Sequence, residues 1–577
     1  MKNRIKTYRW LTPAWLVCLI GLLLFLLWGG AHTFSPKHVA WVMSGLDTAA
    51  QYLGWSYFRN APWWQWPLGA NPSYGTDAPG TIVLADTIPI CALFFKLWNP
   101  LLPTDFQYFG AWACLCFLLQ AWFGYKLMRR LSGDFSLVLL GSCFFLTASV
   151  FLVRVYIHPA LAAQWIILAA IYLATDVRVR GKAWWLLLSI AALTHAYLLV
   201  MAGSIWAACM VRQIWVGAES RPALIRYMGA VTSSTVLIMW AVGYFVPASV
   251  TPMPIRMYAN LLTPIWPGFC GQSWSWVLPC SKFDASVFMS ISDGFGYFGL
   301  GYLLLVVIAA GLLVWGRART TGAFQCQKNW ALLLVSLLLL IYAIGEKVYF
   351  GTHLLVAIPI PYWLERLSSV FRGAARMEWP AWYLFMLATL GIVVSRLNPR
   401  IARIVLAIAL LVQCCDLSKA VLNNHQQIEE RSHTDISFAS PQWSELGQFY
   451  RHMAFIEQSS WTPYRIGWSG AYRVSTLIMT RQAVSVNVAY LARLDEPVLA
   501  VARAKREALL LGGQFEPSTF YVVEDLPMWE RILCAPDHGQ WHGMLDNVRV
   551  LIPAPPAALA LPPTQSCNGV SGTPHAS

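Results

Sequence analysis

Three carboxylates, Asp47, Asp77 and Asp86, and three indoles, Trp63, Trp64 and Trp66, fall within residues 45–90, a polar interval in an otherwise strongly apolar chain. Only twelve of the 27 acidic residues lie in positions 1–415, so three of them in one loop mark it as a place for chemistry. Asp47 sits in SGLDTAAQYLGWSYF, where Leu46, Ala49, Ala50, Leu53 and Phe58 roughly follow helical spacing and Tyr52, Trp55 and Tyr57 suit a membrane interface. A partly desolvated carboxylate there can act as general base on a hydroxyl. The plainer alternative is a helix N-cap before Thr-Ala-Ala. Asp86 lies in an apolar run, where an unpaired carboxylate is costly and calls for a cation, a metal or a proton. It could work with Asp47 as an acid or metal pair, or form a structural ion pair with Lys96 or a distant Arg. Asp77, in YGTDAPG, reads as a turn residue. Trp63, Trp64 and Trp66 offer flat faces that stack on sugar rings or isoprenoid chains, though an aromatic belt explains them as well.

Basic candidates lie further on. Arg154 and His158, in FLVRVYIHPA, end an apolar run, and an Arg fork matches phosphate. His195, within LTHAYLL, reads as a histidine satisfied inside a core. Arg372 and Arg376 are four apart and share a face if their segment is helical, so they could clamp a phosphate or pyrophosphate, or bind anionic headgroups. No P-loop, GxSxG or HExxH pattern appears.

The elements that must hold these residues are membrane helices. Hydrophobic residues make up 57% of the 577 and charged ones 12%, with mean hydropathy +0.52. Residues 11–28 are apolar behind Lys2, Arg4, Lys6 and Arg9, which predicts a retained anchor with a cytoplasmic amino terminus. Further runs near 107–125, 135–153, 159–175, 183–200, 202–216, 228–247, 297–315, 329–345, 379–395 and 401–415 bring the expected spans to eleven. Residues 82–102 are a twelfth candidate, but Asp86, Pro89 and Lys96 favour a re-entrant or interfacial segment. If this run does not cross, every strongly basic connection falls inside, and the net charge of +14 is positive-inside bias rather than a nucleic-acid footprint. Asp134, Asp176 and Glu219 then fall inside, and three outer loops, at 31–106, 248–296 and 346–378, carry the other nine of the twelve acids.

Most cysteines lie in apolar runs as small hydrophobes. Two pairs, Cys270 with Cys280 and Cys534 with Cys567, fall in segments placed outside, where disulfides are permitted but not required. From Asp416 the composition changes. Residues 416–552 read as a soluble α/β domain, with strands at 520–525 and 547–553 and an amphipathic helix at 497–513 closed by glycines. Residues 553–577, rich in Pro, Ala and Ser, read as a disordered tail. The expected fold is mostly α, a polytopic helical bundle at 1–415 followed by this α/β domain.

The stretch LDTAAQYLGWSYFRNAPWWQWPLGANPSYG, followed by IVLADTIPICALFFKLWNPLLPTDFQYFGAWACLCFLLQ and RVYIHPALAAQW, resembles a family of uncharacterised multi-pass bacterial inner-membrane proteins that is itself similar to the GT-C superfamily of membrane glycosyltransferases. The match is specific over residues 45–165, with FRGAARMEWP a weaker point. The resemblance implies a lipid-linked sugar donor of the polyprenyl-phosphate type and a glycan, lipid or protein acceptor on the periplasmic side. It implies an acidic catalyst at Asp47, with Asp86 or Asp77 as second acid, and donor phosphate held by Arg372 or Arg376 with Arg154 and His158. No Asp-Asp or Asp-Glu pair adjoins Asp47, so a divalent metal is compatible with the site but not required. A transporter or flippase for a lipid-linked glycan is the rival reading, and a non-enzymatic cell-envelope assembly protein a third.

Overall fold

A computed structural model describes residues 13–78, 80–176, 178–217, 220–247, 257–282, 293–315, 326–458, 466, 469–535 and 539–567. The chain divides into two compact units. The first comprises Met1–Pro36, Tyr108–Val236 and Pro252–Glu430, and the second Lys37–Gln107, Leu237–Thr251 and Arg431–Ser577.

Every one of the eleven apolar runs is helical, but they differ in length. Five helices are long and apolar enough to cross a membrane: Phe109–Leu131, Ala196–Val216, Arg221–Val242, Ala374–Arg396 and Pro399–Ser432. Phe135–Leu146 and Ser149–Val155 form a sixth candidate bent by 51°. The remaining runs give apolar helices of 10–17 residues: Ala14–Gly29, Pro159–Ala174, Gly181–Ala192, Leu300–Val314 and Asn329–Ile344. This is a mostly helical membrane protein with an α/β region towards its carboxyl end. Of the eleven expected crossings, five are thus helices of sufficient length and apolar composition, six with the bent pair, and the other five runs are shorter helices because several end early at caps. Helix Gly181–Ala192, for example, ends at Leu193, and His195 caps the next helix, its Nδ1 accepting the Tyr197 N–H at 3.2 Å.

Within the first unit, close backbone contacts and buried polar links join the helices. Gly301 approaches Pro399–Ser432 so closely that a Cβ would lie 2.0 Å from the Ala409 carbonyl oxygen, the kind of approach that small residues permit between membrane helices. Gln120 donates to the Tyr383 hydroxyl at 2.9 Å, which donates in turn to Gln164 at 2.6 Å. Connections that charge assigns to one side also meet one another: Asp176 pairs with Arg130 and with Arg180, and Asp134 with Arg403.

The second unit is built on a five-stranded sheet in the order β6-β5-β7-β9-β8. Short strands β1 (Ala70–Asn71) and β2 (Gly80–Thr81) and, in the first unit, hairpin β3 (Lys347–Phe350) and β4 (His353–Ala357) precede it in the chain. Strand β5 (His452–Ile456) pairs in parallel with β6 (Ser485–Val486) and β7 (Thr519–Val523). Strands β8 (Trp541–Leu545) and β9 (Val548–Ile552) form an antiparallel hairpin on the far edge. Its two turn residues, Asp546 and Asn547, have φ of 51° and 61°, the mirror-image turn that matches strand twist. All five residues of β7 are buried, as a central strand covered on both faces requires. Residues 73–77 lie along β6: Gly75 and Thr76 donate N–H to the Val486 carbonyl at 3.0 Å, and Asp77 to that of Asn487 at 2.9 Å. The expected amphipathic helix runs Glu496–Leu511 and ends where Gly513 turns to φ 66°.

Two expectations change. Residues 553–567, read as part of a disordered tail, are held to the unit: the Gln565 N–H donates to the His542 carbonyl at 3.0 Å, and the Trp541 indole donates to Pro562 at 2.7 Å. Cys534 and Cys567 form a disulfide that fixes the end of this stretch, and Cys270 and Cys280 form another in the first unit. The rest of the tail lies outside the described residues.

Candidate functional site

Among the described residues of the first unit, buried charges gather around Asp293. Arg154 reaches it from the last turn of Ser149–Val155, beyond the bend in that helix pair. Its Nη2 donates to the Asp293 main-chain carbonyl and, at 3.1 Å, to Oδ1. Arg376 comes from the 3-10 turn Ala374–Glu378 that opens helix Trp379–Arg396, a start that Pro380 favours. Its Nε lies 3.1 Å from each Asp293 carboxylate oxygen and its Nη2 2.9 Å from Oδ1. Burial would push the Asp293 carboxyl up, but Arg376 and then Arg154 outweigh it and hold it at about 2. Asp293 is thus a fixed anion, too weak a base for proton abstraction at neutral pH, and it orients two guanidinium forks.

Aromatic and polar groups complete the surroundings. The Arg376 guanidinium lies 4.9 Å from the Tyr197 ring centre and that of Arg154 5.8 Å from Trp379. Tyr197 OH accepts the Gly373 N–H at 2.8 Å, fixing the turn that carries Arg376. A Cβ at Gly373 would lie 3.0 Å from both Arg376 Nε and Asp293 Oδ2, so any larger residue there would press on the pair. Glu378 is also buried, and among the described residues its Oε1 has no hydrogen-bond partner. His158 is buried with its ring 5.4 Å from that of His195.

Two phosphate candidates, Arg154 and Arg376, therefore converge. Arg372 does not share a helical face with Arg376: it occupies a bend before Gly373, whose ψ of 56° separates it from the 3-10 turn. Sequence reasoning did not single out Asp293. The available signal was its place before the glycine-rich run Gly294-Phe295-Gly296-Tyr297-Phe298-Gly299. The Gly-x-Gly-x-x-Gly spacing there leads into an apolar helix rather than a dinucleotide-binding βαβ unit.

In the second unit, Asp47 lies in the first turn of helix Leu46–Phe58, where a carboxylate suits the helix dipole. The N-cap is Gly45, so the capping alternative for Asp47 falls away, and its Oδ1 accepts from the Tyr490 hydroxyl at 3.3 Å. Asp86 is half-buried in a tight turn at φ 51°, followed by Ile88 at φ 56°, ahead of helix Pro89–Leu97. At nine residues this helix rises roughly 14 Å, about half a bilayer core. Lys96 is not an ion-pair partner of Asp86 in this arrangement. It donates to the Pro62 carbonyl at 3.2 Å and faces Phe58 and Trp63 at 4.0 and 5.2 Å, and burial pulls its ammonium down to about 8. Trp66 packs edge-on against Trp240 at 4.5 Å, whereas Trp64 is 98% exposed, so the three indoles do not form one stacking surface. Asp77 forms a two-pronged ion pair with Arg506, both contacts 2.7 Å.

Comparison with known proteins gives a family and little beyond it. No curated protein matches the chain. Among solved structures, an oligosaccharyltransferase from Archaeoglobus fulgidus in its apo form is similar at 12% identity and a TM-score of 0.32, over 85% of this chain and 65% of that one. The chain thus spans about two thirds of the length of that enzyme. Residues 18–418 match a domain of unknown function, DUF6311, and residues 442–553 match the DUF6311 C-terminal domain. With most of its length covered by these two matches, the chain belongs to the DUF6311 family.

Proposed function

We propose that this protein is a glycosyltransferase of the bacterial inner membrane that moves a sugar from a polyprenyl-phosphate donor to an acceptor on the periplasmic side. The observation that carries this reading is the convergence of Arg154 and Arg376, distant in sequence, on one buried carboxylate. A buried charged cluster of this kind is expensive to desolvate, and such clusters gather at functional sites. Two guanidiniums share the Asp293 carboxylate and are held by it in a fixed geometry. As the bond from the anomeric carbon to the donor oxygen breaks, the electron pair goes to the phosphate, whose growing charge the forks would stabilise. Asp293 is then a positioning residue.

The base is assigned to Asp47 on separate grounds, its place in the first turn of Leu46–Phe58 and the Tyr490 hydroxyl that orients it. Asp47 would take the proton of the acceptor hydroxyl as that oxygen attacks. Disulfides at Cys270–Cys280 and Cys534–Cys567 support an oxidising, periplasmic side for those segments.

The test is sugar transfer from radiolabelled polyprenyl-phosphate sugars to cell-envelope acceptors by purified protein in lipid. Transfer by the wild type that Arg376→Ala and Arg154→Ala each lower by about 100-fold, the usual scale for one transition-state donor, is the expected result. Movement of the labelled lipid across the bilayer without transfer would replace this reading with the flippase.

A further inference from the structure

Hairpin β3–β4 of the first unit carries apolar side chains that the chain does not cover. All five residues of β4 are exposed, so neither face of this strand is packed. Leu354, Leu355, Val356 and Ile358 are each 49–56% exposed, and Tyr362 and Trp363 just beyond them 65% and 66%. The hairpin is nevertheless held in place. Asn260 clasps its tip, Oδ1 accepting the Gly351 N–H at 2.9 Å and Nδ2 donating to the Gly351 carbonyl at 2.8 Å. The Leu261 N–H donates to the Tyr349 carbonyl at 3.0 Å. Both contacts fall on β3 and the tip, and among the described residues no strand pairs with the outer edge of β4.

What covers this surface follows from where the chain places it. Apolar helix Asn329–Ile344 precedes β3 with only Gly345 and Glu346 between them, and the segment ends at helix Trp379–Arg396, so both its ends are tied to membrane helices. Asn329–Ile344 rises roughly 24 Å, short of a hydrocarbon core of about 30 Å. A helix of that length brings the residues that follow it to the lipid boundary rather than clear of it. The hairpin cannot go deeper, because a two-stranded ribbon leaves N–H and C=O groups on its edges that hydrocarbon cannot satisfy. The headgroup layer can satisfy them. Tyr and Trp favour that layer, and exposed Lys347, paired across the hairpin with Ala357, complements anionic headgroup phosphates. Water is the poorer surrounding, since an isolated hairpin is marginal there.

We propose that hairpin β3–β4, with Tyr362 and Trp363, inserts into the boundary between phospholipid headgroups and acyl chains, and is a lipid-bound part of the loop between helices Asn329–Ile344 and Trp379–Arg396. The inference needs only the membrane helices. It stands whether or not the protein transfers sugar.

The experiment places a fluorescent amino acid that heavy atoms quench at Leu355 or, separately, at Ile358 of the full-length protein. Lys505, exposed on helix Glu496–Leu511 of the second unit, is the water reference. The proteins are reconstituted in nanodiscs of phosphatidylethanolamine and phosphatidylglycerol, with or without bromine on the acyl chains near the headgroup. Acyl bromine should quench both hairpin positions by about half, the depth an interfacial side chain reaches, whereas aqueous iodide should quench them at least about threefold less than Lys505. Both side chains are exposed, so if one variant misfolds the other decides. Iodide quenching equal to that at Lys505, without quenching by bromine, would overturn the proposal. A photo-crosslinking amino acid at Leu355 separates lipid from protein: a phospholipid adduct is expected, and a covalent dimer in its place would overturn the proposal in favour of a second copy.

Discussion

At the residue scale, Asp293 and Asp47 separate two uses of a carboxylate. Asp293 is buried between two guanidiniums, and Asp293→Asn would leave them without their counter-charge, a change that costs about 3–5 kcal/mol for buried pairs. The expected result is a clearly lowered melting temperature in nanodiscs, and an unchanged one would refute the account of the cluster. The pH dependence has a fixed sign. The folded carboxyl, held at about 2, lies below the roughly 3.9 of an unfolded Asp, so its contribution to stability is complete above pH 4 and lost as pH falls towards 2. The stabilities of wild type and variant should therefore stay apart above about pH 4 and converge as pH falls through that window. Among the described residues Asp47 forms no such ion pair in its unit, so Asp47→Asn should leave melting unaltered while transfer falls by about 100- to 10,000-fold, the range for a general base. Equal transfer by the folded variant would remove Asp47 from the chemistry. Asp47 was legible because it is rare and well placed in a helical pattern. Asp293 was not, because its partners lie more than 80 residues away on either side and no local periodicity records them.

At the element scale, all eleven apolar runs were legible as helices, since an uninterrupted apolar stretch has few other ways to satisfy its backbone in lipid. Helix length was less legible, because hydropathy averages over caps and bends. The pair Phe135–Leu146 and Ser149–Val155 reads as one run in sequence, yet its bend delivers Arg154 to Asp293. The segment 73–77 was likewise hidden: its bonds to β6 are main-chain, and no side-chain pattern encodes them. Packing can be tested at two glycines. Gly301→Ala must push against the Ala409 carbonyl and should destabilise by about 1–3 kcal/mol, as overpacking does. Gly203, in helix Ala196–Val216, has open space within 4 Å of where an added methyl would sit, so Gly203→Ala should be neutral or slightly stabilising through helix propensity. Thermal unfolding of the two variants side by side checks both, and equal melting temperatures would mean that the Gly301 approach is not tight.

At the scale of the whole molecule, the sidedness of the chain rests on one short helix. If all eleven apolar helices cross, their odd number places the amino terminus and the carboxyl-terminal unit on opposite sides, but only if Pro89–Leu97 does not cross. Its nine residues and the buried Lys96 argue against a crossing, and the pairing of Asp176 with Arg130 and Arg180 groups two basic connections at one end of the first unit. Several of the shorter helices would need local thinning of the bilayer or extension by flanking residues to span it. A cysteine added at Trp64, 98% exposed, should react with a membrane-impermeant maleimide applied from the periplasmic side, above the background of the unaltered chain. Cysteines added at Lys182 and Arg400, both exposed, should react only after the membrane is opened. A twelfth crossing at 82–102 would leave Trp64 outside and turn Lys182 and Arg400 outward with it. Labelling of all three in intact cells would therefore overturn the sidedness argued here, and with it the periplasmic assignment of the acceptor.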